Sequence, residues 1–141
     1  MICDSPLFVS VGIGSQYPRI KDALYDNVKE VFRRSDIVIG NFETVVHEPK
    51  NKSLKEKQMT CSEEAIKALR DSGVNVLNLA NNHCLQHGSR GFESTKRACY
   101  DNGISPIGVK DEEPCIIDVF FGGGVASCVR FIVYSSRVVP T

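Results

Sequence analysis

The stretch NLANNHCLQHGSRGF, residues 78–92, turns from apolar to polar at a single point. An apolar run over 74–80 ends there, and three polar side chains follow at once: Asn81, Asn82 and His83. Read alone, they have an ordinary structural explanation, because a turn needs polar residues and Asn tolerates left-handed backbone geometry. They also carry the oxygen and imidazole donors that bind divalent ions such as Mn, Fe or Zn.

A second apolar stretch, over 36–41, ends in the same way. It runs into GNFET, which places Asn41 and Glu43 directly after it. Glu43 alone could be a solvated loop carboxylate. Ligands of open α/β sheets bind beyond the carboxyl ends of the strands, so the two polar strand ends are expected to meet at one edge. A metal held there would lower the pKa of bound water and hold a phosphoryl group.

The elements that must position these residues alternate along the chain. Apolar runs predict strands over 7–14, 36–41, 74–80 and 106–108, and helical spacing predicts helices over 22–35, 60–73 and 91–103. Strands that alternate with helices predict an α/β fold, with a mainly parallel sheet flanked by helices. Two further strands, within CIIDVFF and VRFIVYSS, are expected to form a hairpin around GGG.

Local signals mark the ends of the second and third helices. Thr60 and Glu63 match the T-x-x-E pattern of a capping box, and Ser62 is the alternative cap. Gly73 and Gly103 are expected to end the second and third helices, because glycine adopts the left-handed conformation of a helix C-terminus.

The composition of the chain suits one folded domain over 1–141. Hydrophobic residues make up 42% of it, and Lys+Arg and Asp+Glu are both 17, so nothing favours a nucleic-acid or anionic-membrane partner. No apolar run is long enough to span a bilayer, and the N-terminus does not resemble a signal peptide. The polar stretch over 47–58 is expected to be an exposed loop. Because no helix follows the last apparent strand, we expect a domain truncated at its C-terminus.

The six cysteines include no pair spaced as C-x-x-C, which argues against a structural zinc site. Free thiols are favoured over disulfides, because the cysteines also lack the spacing of a disulfide framework. Cys99 and Cys128 lie in apolar patterns and are expected to act as small hydrophobic residues. His47 and His87 are expected at the surface.

Two segments together resemble a known family. DIVIGNFETVV, followed by CSEEAIKALRDSGVNVLNLANNHCLQHGSRGFESTKRACYDNGISPIGV, is similar to the capsule-synthesis and poly-γ-glutamate-synthesis (CapA-like) family of the metallophosphatase superfamily. The similarity extends over roughly residues 7–135. It implies a metallophosphatase-like fold, here an incomplete αββα sandwich. It also implies a metal-dependent phosphoesterase in polymer synthesis, with a phosphate ester or a polyanionic polymer as substrate. Members of this family often act at the cell surface.

The resemblance also implies roles for individual residues. Glu43 and Asn82 match metal ligands, and His83 matches the catalytic residue that contacts phosphoryl oxygens or protonates the leaving group. Asn41 and Asn81 would brace the loops that carry these ligands, as the supporting residues around a metal do.

The chain departs from the family pattern at three places. Ile13 stands where the family has an aspartate, and isoleucine cannot bind a metal. Gln86 stands where an aspartate precedes the glycine, with His87 beside it as a candidate replacement. No histidine follows His87, although the family carries further ones.

Two hypotheses therefore remain open. The chain is either a metal-dependent phosphoesterase or a non-catalytic binding or scaffold relative that kept the fold and lost the metal. A serine esterase is excluded, because no Gly-Asp-Ser follows the first predicted strand and no Asp-x-x-His lies near the end.

Overall fold

The computed structural model describes residues 26–47, 59–109, 116–117 and 129–130. The strands in these ranges are β1 (Ile39–Asn41), β2 (Val45–Val46), β3 (Thr60–Cys61), β4 (Val76–Asn78), β5 (Ser105–Ile107), β6 (Ile116–Ile117) and β7 (Val129–Arg130). The helices are α1 (Asp26–Arg33), α2 (Glu63–Asp71) and α3 (Gly88–Asp101). The predicted strand over 7–14 lies outside the described residues.

The central sheet has the strand order β1-β4-β5, and both pairings are parallel. This confirms the predicted α/β fold with parallel strands and flanking helices. The register places Asn41 opposite Asn78, and Asn78 opposite Ile107. All three strands therefore end at the same edge, where open α/β sheets bind their ligands.

Two short strand pairs accompany this sheet. β6 and β7 pair antiparallel, which confirms the pairing predicted for the two late strands. β2 and β3 pair parallel, with Val45 opposite Thr60, and this pairing was not predicted.

The pairing of β2 with β3 shows that the predicted capping box of Thr60 and Glu63 is wrong. Thr60 belongs to β3, so it cannot cap a helix that begins at Glu63. Ser62 is the N-cap residue, but its side chain makes no capping hydrogen bond. Glu63 and Glu64 lie in the first turn instead, where the positive end of the helix dipole stabilises their negative charges.

The glycines at the helix ends behave as predicted. Gly73 follows α2 with φ +103°, and Gly103 follows α3 with φ +67°, both in the left-handed region that favours glycine. The start of α3 was predicted too late, because the helix begins at Gly88 and not at 91. α1 lies within the predicted range 22–35. No helix of the described part is long and apolar enough to cross a membrane.

The core lies between the sheet and the helices. Its largest fully buried side chains are Val45, Ile66, Val76, Leu77, Leu79, Cys99 and Ile104. α3 approaches β2 closely, since a Cβ on Gly91 would lie 2.8 Å from the Val45 Cγ1 atom. The buried hydroxyl of Thr95 fixes this contact, because it accepts a hydrogen bond from the Val46 N–H and donates one to the Gly91 carbonyl.

The cysteines of the described part, Cys61, Cys84 and Cys99, are free and buried. Burial raises the pKa of the Cys99 thiol to about 12, which keeps the thiol neutral at physiological pH. This confirms the expectation that Cys99 behaves as a small hydrophobic residue, whereas Cys128 lies outside the described residues.

Candidate functional site

The two polar strand ends lie on the same edge of the central sheet. β1 and β4 are neighbouring parallel strands, and the loop after β1 stays close to β4, because the Phe42 N–H donates to the Asn78 carbonyl at 3.0 Å. Glu43 follows β1, and Asn82 and His83 follow β4. We call this edge, with its two loops, the polar rim.

Asn81 ties the two loops of the polar rim together. Its Nδ2 donates to the Phe42 carbonyl at 2.9 Å, and its Oδ1 accepts from the His83 N–H at 3.0 Å. Both ends of the amide are therefore engaged within the protein. The sequence assigned this residue a supporting role, and its hydrogen bonds fit such a role.

Glu43 is half-buried and is held by a neighbouring amide. Asn41 donates from Nδ2 to Glu43 Oε1 at 2.9 Å. Asn41 in turn accepts a hydrogen bond at Oδ1 from Asn78 Nδ2, at 3.2 Å. Within the described residues the second carboxylate oxygen, Oε2, makes no hydrogen bond. One oxygen of Glu43 is thus fixed, and the other remains able to take a ligand.

Asn82 and His83 contact each other through their side chains. Asn82 Nδ2 lies 3.0 Å from His83 Nε2. With Asn82 Nδ2 as the donor, Nε2 accepts this hydrogen bond, and the ring then carries a proton on Nδ1. Nδ1 is buried and has no hydrogen-bond partner among the described residues. A buried donor without a partner is costly, and a bound ligand or water would satisfy it.

His47 and His87 were predicted to lie at the surface, and the structure places them there only in part. Both are half-buried, and their rings stack with centroids 4.8 Å apart and an interplanar angle of 13°. Gln86 beside them is exposed. That His87 replaces the missing aspartate of the family stays a prediction.

The donor set of the polar rim is small for a metal centre. It offers one carboxylate, one amide oxygen and one imidazole, and the part of the chain that the structure describes holds no group of three or more His, Cys, Asp and Glu side chains suited to a metal. A single carboxylate does little to offset the cost of dehydrating a dication. Ile13 lies outside the described residues. The residues present therefore fit one weakly held ion better than a two-metal centre.

Asn78 is a rim residue that the sequence did not single out. Its side chain contacts Asn41, and its Oδ1 accepts from the Ala80 N–H at 3.2 Å. Its position in the sequence could have identified it, because Asn78 interrupts an otherwise apolar strand. A polar side chain in such a strand needs a hydrogen-bond partner.

The chain is similar in sequence to known proteins of one family. The model of the bacterial capsule synthesis protein family PGA_cap matches residues 13–126, which include every rim residue discussed above. The chain is 40% identical over 76 residues to the PGA biosynthesis protein CapA of Bacillus subtilis (strain 168), covering 52% of this chain and 20% of that protein. It is 34% identical over 91 residues to the capsule biosynthesis protein CapA of Bacillus anthracis, covering 62% of this chain and 22% of that protein. The aligned part is thus about a fifth of the length of these relatives.

Proposed function

This chain belongs to the bacterial capsule synthesis protein family, and we propose that it acts in the synthesis of a capsule or a poly-γ-glutamate-type polymer. Its chemistry is that of a metal-dependent phosphoesterase, and the substrate is a phosphate ester or the polyanionic polymer itself. The observation that supports this proposal is the polar rim, where an anchored carboxylate and an amide–imidazole pair follow neighbouring parallel strands.

Glu43 and Asn82 would hold the divalent ion, which is Mn, Fe or Zn by the chemistry of these donors. When bound, such an ion polarises a phosphoryl oxygen and acidifies its water. Glu43 supplies the negative charge, and Asn41 fixes its orientation. Asn82 can contribute its Oδ1, because its Nδ2 is engaged with His83. Asn81 keeps the two loops at a constant separation.

His83 is the residue that would act on the phosphoryl group. Its buried Nδ1–H has no partner among the described residues, so it can donate to a substrate oxygen that enters the rim. Its Nε2 accepts from Asn82, and this contact orients the ring so that Nδ1 is the donor. To protonate a leaving group from Nε2, the ring would have to break its contact with Asn82.

A second candidate function is a binding or scaffold role without catalysis. The small donor set of the described residues favours it, as does Ile13 at the position of a family aspartate. A chain of this kind would bind the polymer or a partner protein and would hydrolyse nothing.

Hydrolysis of an aryl phosphate distinguishes the two functions. We expect weak turnover by the 141-residue chain that requires Mn²⁺, disappears in His83→Ala and persists in Ser35→Ala, an exposed residue at the opposite edge of the sheet. Ile13→Asp should strengthen metal binding by restoring a carboxylate. Absence of Mn²⁺-dependent turnover from both the wild type and Ile13→Asp would contradict the phosphoesterase and favour the binding role.

A further inference from the structure

A chain of side-chain amides links the backbone after β4 to the carboxylate of Glu43. The Ala80 N–H donates to Asn78 Oδ1 at 3.2 Å, and Asn78 Nδ2 donates to Asn41 Oδ1 at 3.2 Å. Asn41 Nδ2 then donates to Glu43 Oε1 at 2.9 Å. We call these three hydrogen bonds the amide relay.

The sheet itself brings the two amides together. Asn41 and Asn78 are register partners in adjacent parallel strands, so their side chains project from the same face. Residue 108, which follows β5, leaves room for the relay because it is glycine. A Cβ on Gly108 would lie 2.8 Å from Asn78 Oδ1 and 2.5 Å from the Ala80 Cβ, and its φ of +79° also favours glycine.

The two ends of the relay fix the direction of every hydrogen bond in it. An ionised carboxylate only accepts, so Asn41 must turn its NH₂ group toward Glu43. Its carbonyl oxygen then faces Asn78 and needs a donor, which the Asn78 NH₂ group supplies. The oxygen of Asn78 is left for the Ala80 N–H, which can only donate.

We propose that Asn78 is a positioning residue, which orients the Glu43 carboxylate through Asn41 for binding a divalent ion. This inference rests on the proposed function only in its last step, the ion. The relay itself exists without metal. Supporting residues of this kind change metal affinity by about 10- to 100-fold when they are mutated.

Asn78→Asp tests the relay because it keeps the size of the side chain and removes its donor. Two oxygens would then face each other at Asn41, and the hydrogen bond that Asn41 Oδ1 accepts from residue 78 would be lost. Asn75→Asp is the matched control. Asn75 precedes the same strand at the opposite edge, where its amide accepts from the Val38 N–H and donates to the Asp36 carbonyl.

The first readout is the side-chain NH₂ signals in ¹⁵N NMR spectra of the full 141-residue chain without metal. We expect the Asn41 signals to move in Asn78→Asp and to stay in place in Asn75→Asp. Glu43→Gln changes a residue that lies outside the strands. This variant should move the signals of both Asn41 and Asn78. The signals of Asn102, whose amide contacts Glu63 and the Ala98 carbonyl, should not respond. Unchanged Asn41 signals in Asn78→Asp, or unchanged Asn78 signals in Glu43→Gln, would overturn the relay.

The second readout is Mn²⁺ affinity by titration calorimetry. We expect Asn78→Ala, which adds no charge to the rim, to weaken binding about 10- to 100-fold and Asn75→Ala to leave it unchanged. Equal affinities of Asn78→Ala and wild type would overturn the positioning role. If the NMR signals respond as expected but wild-type protein binds no Mn²⁺, the relay stands and the metal part of the proposed function is wrong.

Discussion

Asn81 and Asn82 are adjacent, yet the structure gives them opposite roles, and replacing each by alanine separates those roles. Asn81→Ala removes two partly buried hydrogen bonds, to the Phe42 carbonyl and from the His83 N–H. Each contributes about 1 kcal/mol, and the backbone groups left without a partner add to the cost. We therefore expect Asn81→Ala to lower the free energy of unfolding by about 2–3 kcal/mol.

Asn82→Ala is the natural comparison, because Asn82 is exposed and its side chain, among the described residues, bonds only to His83. Exposed substitutions of this kind change stability by about 0.5 kcal/mol or less. The assay is urea unfolding of both variants, followed by circular dichroism. Equal destabilisation by the two variants, or a change below about 0.5 kcal/mol in Asn81→Ala, would refute the bracing role of Asn81.

Two further predictions concern the packing of α3. Thr95→Val should lower the free energy of unfolding by about 1–3 kcal/mol, because the buried Val46 N–H loses its acceptor, and Thr95→Ser, which keeps the hydroxyl, should cost less in the same denaturation assay. The raised pKa of Cys99 predicts a pH dependence: its contribution to stability is full below the ordinary thiol pKa of 9.0 and is lost as pH rises toward about 12. Between those values stability should fall by up to about 1.4 kcal/mol per pH unit more steeply in wild type than in Cys99→Ala, and equal slopes would contradict this reasoning.

The parallel order of the sheet could be predicted because it depends on local signals. Apolar runs of strand length alternate with helical spacing, and right-handed crossovers then favour parallel strands. Gly73 and Gly103 were correctly placed at helix ends, since a left-handed residue there is a property of the immediate backbone.

The contacts that were not predicted join residues far apart in the chain. The pattern T-x-x-E occurs in capping boxes and also outside them. Only the pairing of Thr60 with Val45 shows that Thr60 belongs to a strand. The stacking of His47 on His87 also depends on how α3 lies against β2. Neither contact leaves a periodic pattern in the sequence.

The position of the candidate residues at one edge of the sheet could be predicted, but their hydrogen bonding could not. Polar strand ends identified Glu43, Asn82 and His83, because the edge of a parallel sheet is fixed by topology. The role of Asn78 depends on its register with Asn41, and these residues lie 37 positions apart in the chain. Sequence spacing carries no information on that register.

Paramagnetic broadening by Mn²⁺ tests the central claim, a divalent-ion site at the polar rim, most directly. Titrating Mn²⁺ into the ¹⁵N-labelled chain should first broaden the backbone amide signals of Phe42, Glu43, Asn82 and His83, and Glu43→Gln should abolish this selectivity. Signals at the opposite edge of the sheet, such as Ser35 and Asn75, should persist at the same Mn²⁺ concentration. Broadening that begins at the opposite edge, or that is unchanged in Glu43→Gln, would contradict a metal site built on Glu43 and Asn82.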